Sequence, residues 1–142
     1  MPILPMQCIF CEIIRGKAPA EILYRTERAV AILDIHPIHF GHALIFPSTH
    51  AASFLEVPEE ELAEVMRGAA VVSRAIVESL KPHAFNIFSN NGEAAGQSVF
   101  HFHFHITPRY ENDDIRFILK LKDYPDGEMN RYAELIRKRI QD

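Results

Sequence analysis

The 142 residues are 48% hydrophobic and 24% charged, enough for one domain with its own hydrophobic core. Fifteen Lys and Arg against 19 Asp and Glu leave a formal charge of -4, which argues against a sequence-independent grip on nucleic acid; a single nucleotide needs only a few aimed donors. No apolar run approaches the roughly 18–20 residues that cross a bilayer, and Met1-Pro2-Ile3-Leu4-Pro5-Met6 lacks a basic region and a long apolar core. The expectation is no signal peptide, no membrane association and a cytoplasmic location.

In chain order, residues 8–16 suit a short helix stopped by Gly16. Both cysteines lie in it as Cys8-x-x-Cys11, which in a reducing compartment suggests metal or redox chemistry more than a structural disulfide. Residues 21–25 and 29–34 read as two strands around the polar turn Thr26-Glu27-Arg28, and 34–41, with Pro37 and Gly41, as an irregular connection. Residues 43–46 form a short apolar strand ended by Pro47. After Pro58 and three glutamates, Leu62, Val65, Met66, Ala69, Val72, Ile76 and Leu80 recur at spacings of three and four, an amphipathic helix of about five to six turns that ends at Lys81-Pro82. Residues 84–89 are the next strand, 90–97 a polar glycine-bearing loop, and 99–107 a strand closed by Pro108. A last helix over 128–140 puts Tyr132, Leu135, Ile136 and Ile140 on one face. Hairpin-joined strands with one long inserted helix predict an α+β domain on an antiparallel sheet, whose edge is covered or paired with a second copy.

The 99–107 segment carries the chemistry. Alternate strand residues point to opposite faces, so Phe100, Phe102, Phe104 and Ile106 are expected to face the core while His101, His103 and His105 line the other side. Nothing in packing demands histidine three times in strict alternation. The row is either a metal site, imidazole being a common ligand, or a place where one ring acts as nucleophile or base. Spacing alone does not choose. Gly96-Gln97-Ser98 leads into it from a loop whose backbone N–H groups can turn toward an anion, which suits phosphoryl chemistry.

His101-Phe102-His103-Phe104-His105-Ile106-Thr107, preceded by Gly96-Gln97-Ser98-Val99, resembles the histidine-triad (HIT) family pattern His-x-His-x-His with apolar x. The likeness extends through Asp34-Ile35-x-Pro37, Gly41-His42-Ala43-Leu44-Ile45-x-Pro47-x-x-His50 and Cys8-Ile9-Phe10-Cys11-Glu12-Ile13-Ile14, and covers about residues 8–110; residues 111–142 resemble the variable tail of bacterial members. The resemblance implies a HIT-like fold over the whole chain, with an antiparallel sheet of about five strands, a long central helix, a short N-terminal helix and a C-terminal helix. It implies a hydrolase or nucleotidyl transferase, in which His103 attacks the α-phosphorus of a nucleoside phosphoryl substrate and forms a covalent nucleotidyl-histidine. His105 would contact the phosphoryl group, with Ser98 beside the bridging atom of the leaving group. Gln97 and Asn90 would touch phosphate and ribose, Asp34 the ribose hydroxyls, and Phe10, Ile13, Leu33 and Ile35 the base. Cys8, Cys11, His50 and His101 would hold one structural zinc ion, so that His101 faces metal while His103 and His105 do the chemistry. The family also implies a homodimer.

Some positions depart from the pattern. Phe40 precedes Gly41-His42 where relatives often have proline, His36 and His39 replace small polar residues, and Ser48-Thr49 replaces a frequent basic pair. His42 is read as a hydrogen-bonding brace for its loop. Asn90 and Ser98 resemble the phosphoramidase branch, whose substrates are purine nucleoside phosphoramidates, more than the dinucleoside polyphosphate hydrolases. Two readings of other kinds are a non-catalytic nucleotide-binding module and a hydrolase with all three histidines around an open zinc; the second leaves Cys8, Cys11 and His50 without a role.

Overall fold

A computed structural model describes residues 8–141. Helix α1 spans Ile9–Ile14, followed by strands β1 (Ile22–Arg25), β2 (Ala29–Leu33) and β3 (Ala43–Pro47). Then come the long helix α2 (Glu59–Leu80), strands β4 (Ala84–Phe88) and β5 (Phe104–Arg109), and helix α3 (Glu128–Arg137). The five strands form one antiparallel sheet in the order β1-β2-β3-β5-β4. The fold is α+β, as the hairpin-and-helix pattern predicts.

The two faces of the sheet carry different cargo. Ala29 and Ala31 of β2, Ala43 and Ile45 of β3 and Ile106 of β5 pack with Val65, Ala69, Val72 and Ile76 of α2. Val30, Ile32, Leu44 and Phe46 point the other way and pack with Phe10 and Ile13 of α1. His105 lies opposite Leu44 in the β3–β5 ladder, so the histidine side of β5 shares the α1 face. The alanines let α2 lie close to the sheet, and Gly68 marks the tightest approach. A Cβ there would sit 2.5 Å from the Ile45 Cδ1 atom and 3.0 Å from the Tyr24 ring. The helix stops at Lys81, whose φ is 51°, because a residue before proline is driven out of the right-handed helical region.

Four expectations change. The histidine strand begins at Phe104 rather than residue 99 and runs through Pro108 to Arg109. Ahead of Phe104 the chain leaves β3, and the Phe102 N–H bonds to the Ala51 carbonyl at 2.7 Å. Pro108 is tolerated because the β3 ladder ends at Ile106. Phe102 is buried and Phe104 packs against the same cluster, but Phe100, outside the strand, is 45% exposed. On α2, Met66 and Leu80 lie at the margin of the apolar stripe and stay half-exposed. Helix α3 ends before Ile140, and none of its residues is buried, so its apolar face is turned to solvent. Replacing Gly68 with valine is expected to overpack this contact and lower stability by about 1–3 kcal/mol, read as an earlier urea midpoint. An unchanged midpoint would mean that α2 sits farther from β3 than described.

Candidate functional site

At the N-terminus of α1, Cys8 is the capping residue, and its sulfur accepts the Cys11 backbone N–H at 3.5 Å. One helical turn thereby brings both sulfurs to one end of the helix. Across from them, fully buried His101 donates its Nε2 proton to the Pro47 carbonyl at 2.8 Å. That leaves the Nδ1 lone pair for the sulfurs, 3.4 Å from Cys8 Sγ and 3.6 Å from Cys11 Sγ. His50 brings its Nδ1 to 3.4 Å from Cys11 Sγ. The four ligand atoms lie within 4.8 Å of one another. Burial pushes the Cys11 thiol up to about 11, reinforced by Cys8, and holds the His101 imidazole down at about 4, where it is neutral. Two sulfurs and two imidazole nitrogens form the soft donor set that suits a tetrahedral divalent ion.

Next along the chain, His103 donates Nδ1–H to the His101 carbonyl at 2.7 Å, which leaves its Nε2 with a free lone pair. Its ring stands edge-on to Phe10, 5.1 Å away, and burial lowers its pKa from the ordinary value. His105 is oriented by a second chain of bonds. The Ile38 N–H donates to His42 Nδ1 at 3.0 Å, so the His42 proton sits on Nε2 and is donated to His105 Nδ1 at 2.9 Å. The remaining proton of His105 is therefore on Nε2. Burial and the neighbouring His103 and His42 rings hold His105 down to about 4. Asp34 completes the group, with Oδ2 3.8 Å from His42 Nδ1 and Oδ1 accepting the His36 N–H at 2.8 Å. The His42 and His105 nitrogens point at each other across a proton, so these two rings form a hydrogen-bond relay, with the Asp34 carboxylate beside it as a charge.

The other sequence-designated residues are placed unevenly. Gln97 is buried with its amide committed to the backbone: Oε1 accepts from Gly92, and Nε2 donates to the Ala52 and Val99 carbonyls. It shapes the 90–97 loop, whose turn also needs the positive φ values of Gly92 and Gly96, and does not offer its amide to phosphate. Asn90 borders that loop, with its Nδ2 3.5 Å from the Gly96 carbonyl, and Ser98 is exposed at its end. Phe10 and Ile13 are buried beside the histidines, where Phe10 stacks on Phe46 at 4.4 Å. Leu33 is not with them. It lines a cavity of about 530 Å³ on the α2 face with Tyr24, Phe40, Val72, Ile76 and Tyr110, while Ile32 occupies the α1 face beside Phe10. Ile35 is 82% exposed on the 34–42 loop.

Two residues carry more than their sequence reading. His42 braces its loop, as expected from Gly41-His42, but its second nitrogen also sets the tautomer of His105. Glu61, read as one of three helix-start charges, is buried and accepts the Thr49 N–H at 2.6 Å, which anchors the turn that carries His50. Alternation does not signal either contact.

Comparison with known proteins identifies the family of the fold. The HIT domain model matches residues 15–112. The chain is 41% identical to the adenosine 5'-monophosphoramidase of Schizosaccharomyces pombe over 138 residues, 96% of this chain and 100% of that one. Its fold is similar to the crystal structure of a HIT family member from Bacillus subtilis, with a TM-score of 0.90, 37% identity and 96% and 99% of the two chains covered. It is also similar to a zinc-bound histidine triad family protein from Mycobacterium smegmatis, with a TM-score of 0.74, 36% identity and 94% and 99% coverage. With its three alternating histidines, two of them oriented by fixed backbone carbonyls and the third through His42, the chain belongs to the histidine triad family.

Proposed function

We propose that the chain cleaves the α-phosphoryl bond of purine nucleoside phosphoramidates through a nucleotidyl-histidine formed on His103. The observation that carries this reading is the bond from His103 Nδ1–H to the His101 carbonyl, which frees a neutral, nucleophilic Nε2 beside the Nε2–H of His105. In the first step the Nε2 lone pair attacks phosphorus and the P–N bond breaks. The amine leaves with the bonding pair and takes the proton of the exposed Ser98 hydroxyl, which Ser98 recovers from solvent; the attacking water of the second step returns a proton to solvent, so none is gained or lost overall. His105 donates to a phosphoryl oxygen as charge builds there. Water then attacks the phosphorus, restores free His103 and releases the nucleoside monophosphate; another acceptor in place of water makes the protein a transferase. Asp34 receives the ribose hydroxyls, Asn90 lies at the sugar–phosphate edge, and Phe10, Ile13 and Ile32 offer the purine an apolar layer. Similarity to an adenosine monophosphoramidase favours this substrate class over dinucleoside polyphosphates.

Cys8, Cys11, His50 and His101 hold one zinc ion in this reading, a role that requires reduced thiols and fits the cytoplasm. When bound, zinc supplies a closed tetrahedral clamp between α1 and the segment before β5, with no open position for substrate. The chain works as a homodimer through β4, whose outer edge is unpaired among the described residues and whose Phe85 and Ile87 are 42% and 43% exposed.

Mixing the protein with adenosine phosphoramidate and trapping the reaction is expected to yield a peptide bearing one adenylyl group on His103. His103→Ala should bind nucleotide while turnover falls by roughly 10³-fold or more; normal turnover in that variant rules the mechanism out. Elemental analysis should find one zinc per chain, lost in Cys8→Ser together with a lower unfolding temperature. A full equivalent of zinc in Cys8→Ser would refute the assigned ligands. Sedimentation should report a dimer that Ile87→Lys converts to monomer, and a wild-type monomer would exclude the β4 interface.

A further inference from the structure

Along β4, Phe85 and Ile87 face α2 while Asn86 and Phe88 face the histidines, since Asn86 pairs with Thr107 and Phe88 with His105. At the end of the strand the Phe88 ring lies flat on the His105 imidazole, with centroids 4.5 Å apart and planes 10° from parallel. The rest of the His105 ring is bounded by His103, at 4.8 Å and 61°, and by His42, whose Nε2–H meets Nδ1. An imidazole turns readily about its Cβ–Cγ bond unless neighbours prevent it. A quarter turn would break the His42 bond and drive the ring edge into Phe88.

We propose that Phe88 is a positioning residue for His105: its ring holds the imidazole in the one plane where Nδ1 meets His42 and Nε2–H faces the substrate phosphoryl group, and it keeps water off that side. The role rests on the proposed phosphoryl-transfer function. It also assigns a task to a phenylalanine that hydrophobicity alone would place in the core, although Phe88 stays half-buried at the strand end. The groups that face His105 are His103 and His42, whose positive charge would disfavour its protonation, and Asp34, whose charge favours it. Burial outweighs the carboxylate, so wild-type His105 is neutral down to about pH 4. Removing the plate hydrates the ring and moves its titration up toward the ordinary value near 6.5. Because a neutral ring can accept the His42 proton and a protonated one cannot, the variant should lose the relay as pH falls through about 6, a range in which wild type keeps it.

The test compares Phe88→Ala, Phe88→Leu and Phe88→Tyr by kcat, KM and the pH dependence of kcat, and follows His105 ring resonances by NMR in the free protein. Phe88→Ala is expected to lose roughly 10- to 100-fold in kcat with little change in KM, and to show a raised His105 titration and a shifted tautomer signal. Phe88→Leu should fall between, and Phe88→Tyr, which keeps the flat ring, should restore both readouts. A purely structural phenylalanine would lower the unfolding temperature and leave the His105 resonances and kcat of the folded enzyme at wild-type values; that result overturns the proposal. If wild type forms no adduct on His103, the enzymatic reading falls, and the NMR titration still decides whether Phe88 holds the ring.

Discussion

The site depends on how buried neutral imidazoles satisfy their N–H groups. A ring deprived of water must place its proton on some acceptor, and the acceptor chosen decides which nitrogen keeps a lone pair. For His101 it is the Pro47 carbonyl, which turns Nδ1 toward the cysteines. For His103 it is the His101 carbonyl, which frees Nε2. The Ile38 N–H works in the opposite sense on His42, occupying its lone pair and so sending its proton to His105. Backbone geometry thus sets the chemistry of four rings, and burial holds all four below the pKa of a free histidine.

This scheme ties the site to the fold. Pro47 is the last residue of β3, and its carbonyl is available to His101 because the chain before Phe104 has left the β3 ladder. Had strand pairing continued to residue 99, that carbonyl would have been claimed by a backbone N–H. Helix α1 closes the same face from above: Phe10 packs on Phe46 and stands against both His101 and His103, while the cysteines at its N-terminus meet His101. Loss of the contact between α1 and the sheet would remove the sulfurs and rehydrate the rings together.

Much of this was legible in the sequence because its periodicities are strong. The three- and four-residue spacing marks α2, Lys81-Pro82 marks its end, and the His/Phe alternation sorts core from site for residues 102–106. Alternation puts the strand start too early because it persists through residues 99–103, where a different partner, the Ala51 carbonyl, fixes the backbone. The face of Leu33 is hidden for another reason. β2 is buried on both sides, so an unbroken apolar run carries no mark of which residues look toward α1. Gln97 shows a third limit: residue type announces an amide but not that both of its ends are spent on the backbone. Strand order is set by long-range pairing, and nothing near β5 announces that it slots between β3 and β4.

The irregular start of β5 also explains how three histidines in one short motif can do different things. On a regular strand His101, His103 and His105 would stand in a row with equivalent surroundings and similar titration. Here only His105 lies in the paired strand, where it is stacked by Phe88 and bonded by His42. His103 sits just before the strand, and the carbonyl it needs belongs to the residue two positions back. His101 lies farther into the bend and is drawn to the end of α1. Each step away from the ladder trades a cross-strand environment for one built by another element: β4, then the chain's own backbone, then α1. The division of labour among the imidazoles follows from where strand pairing stops.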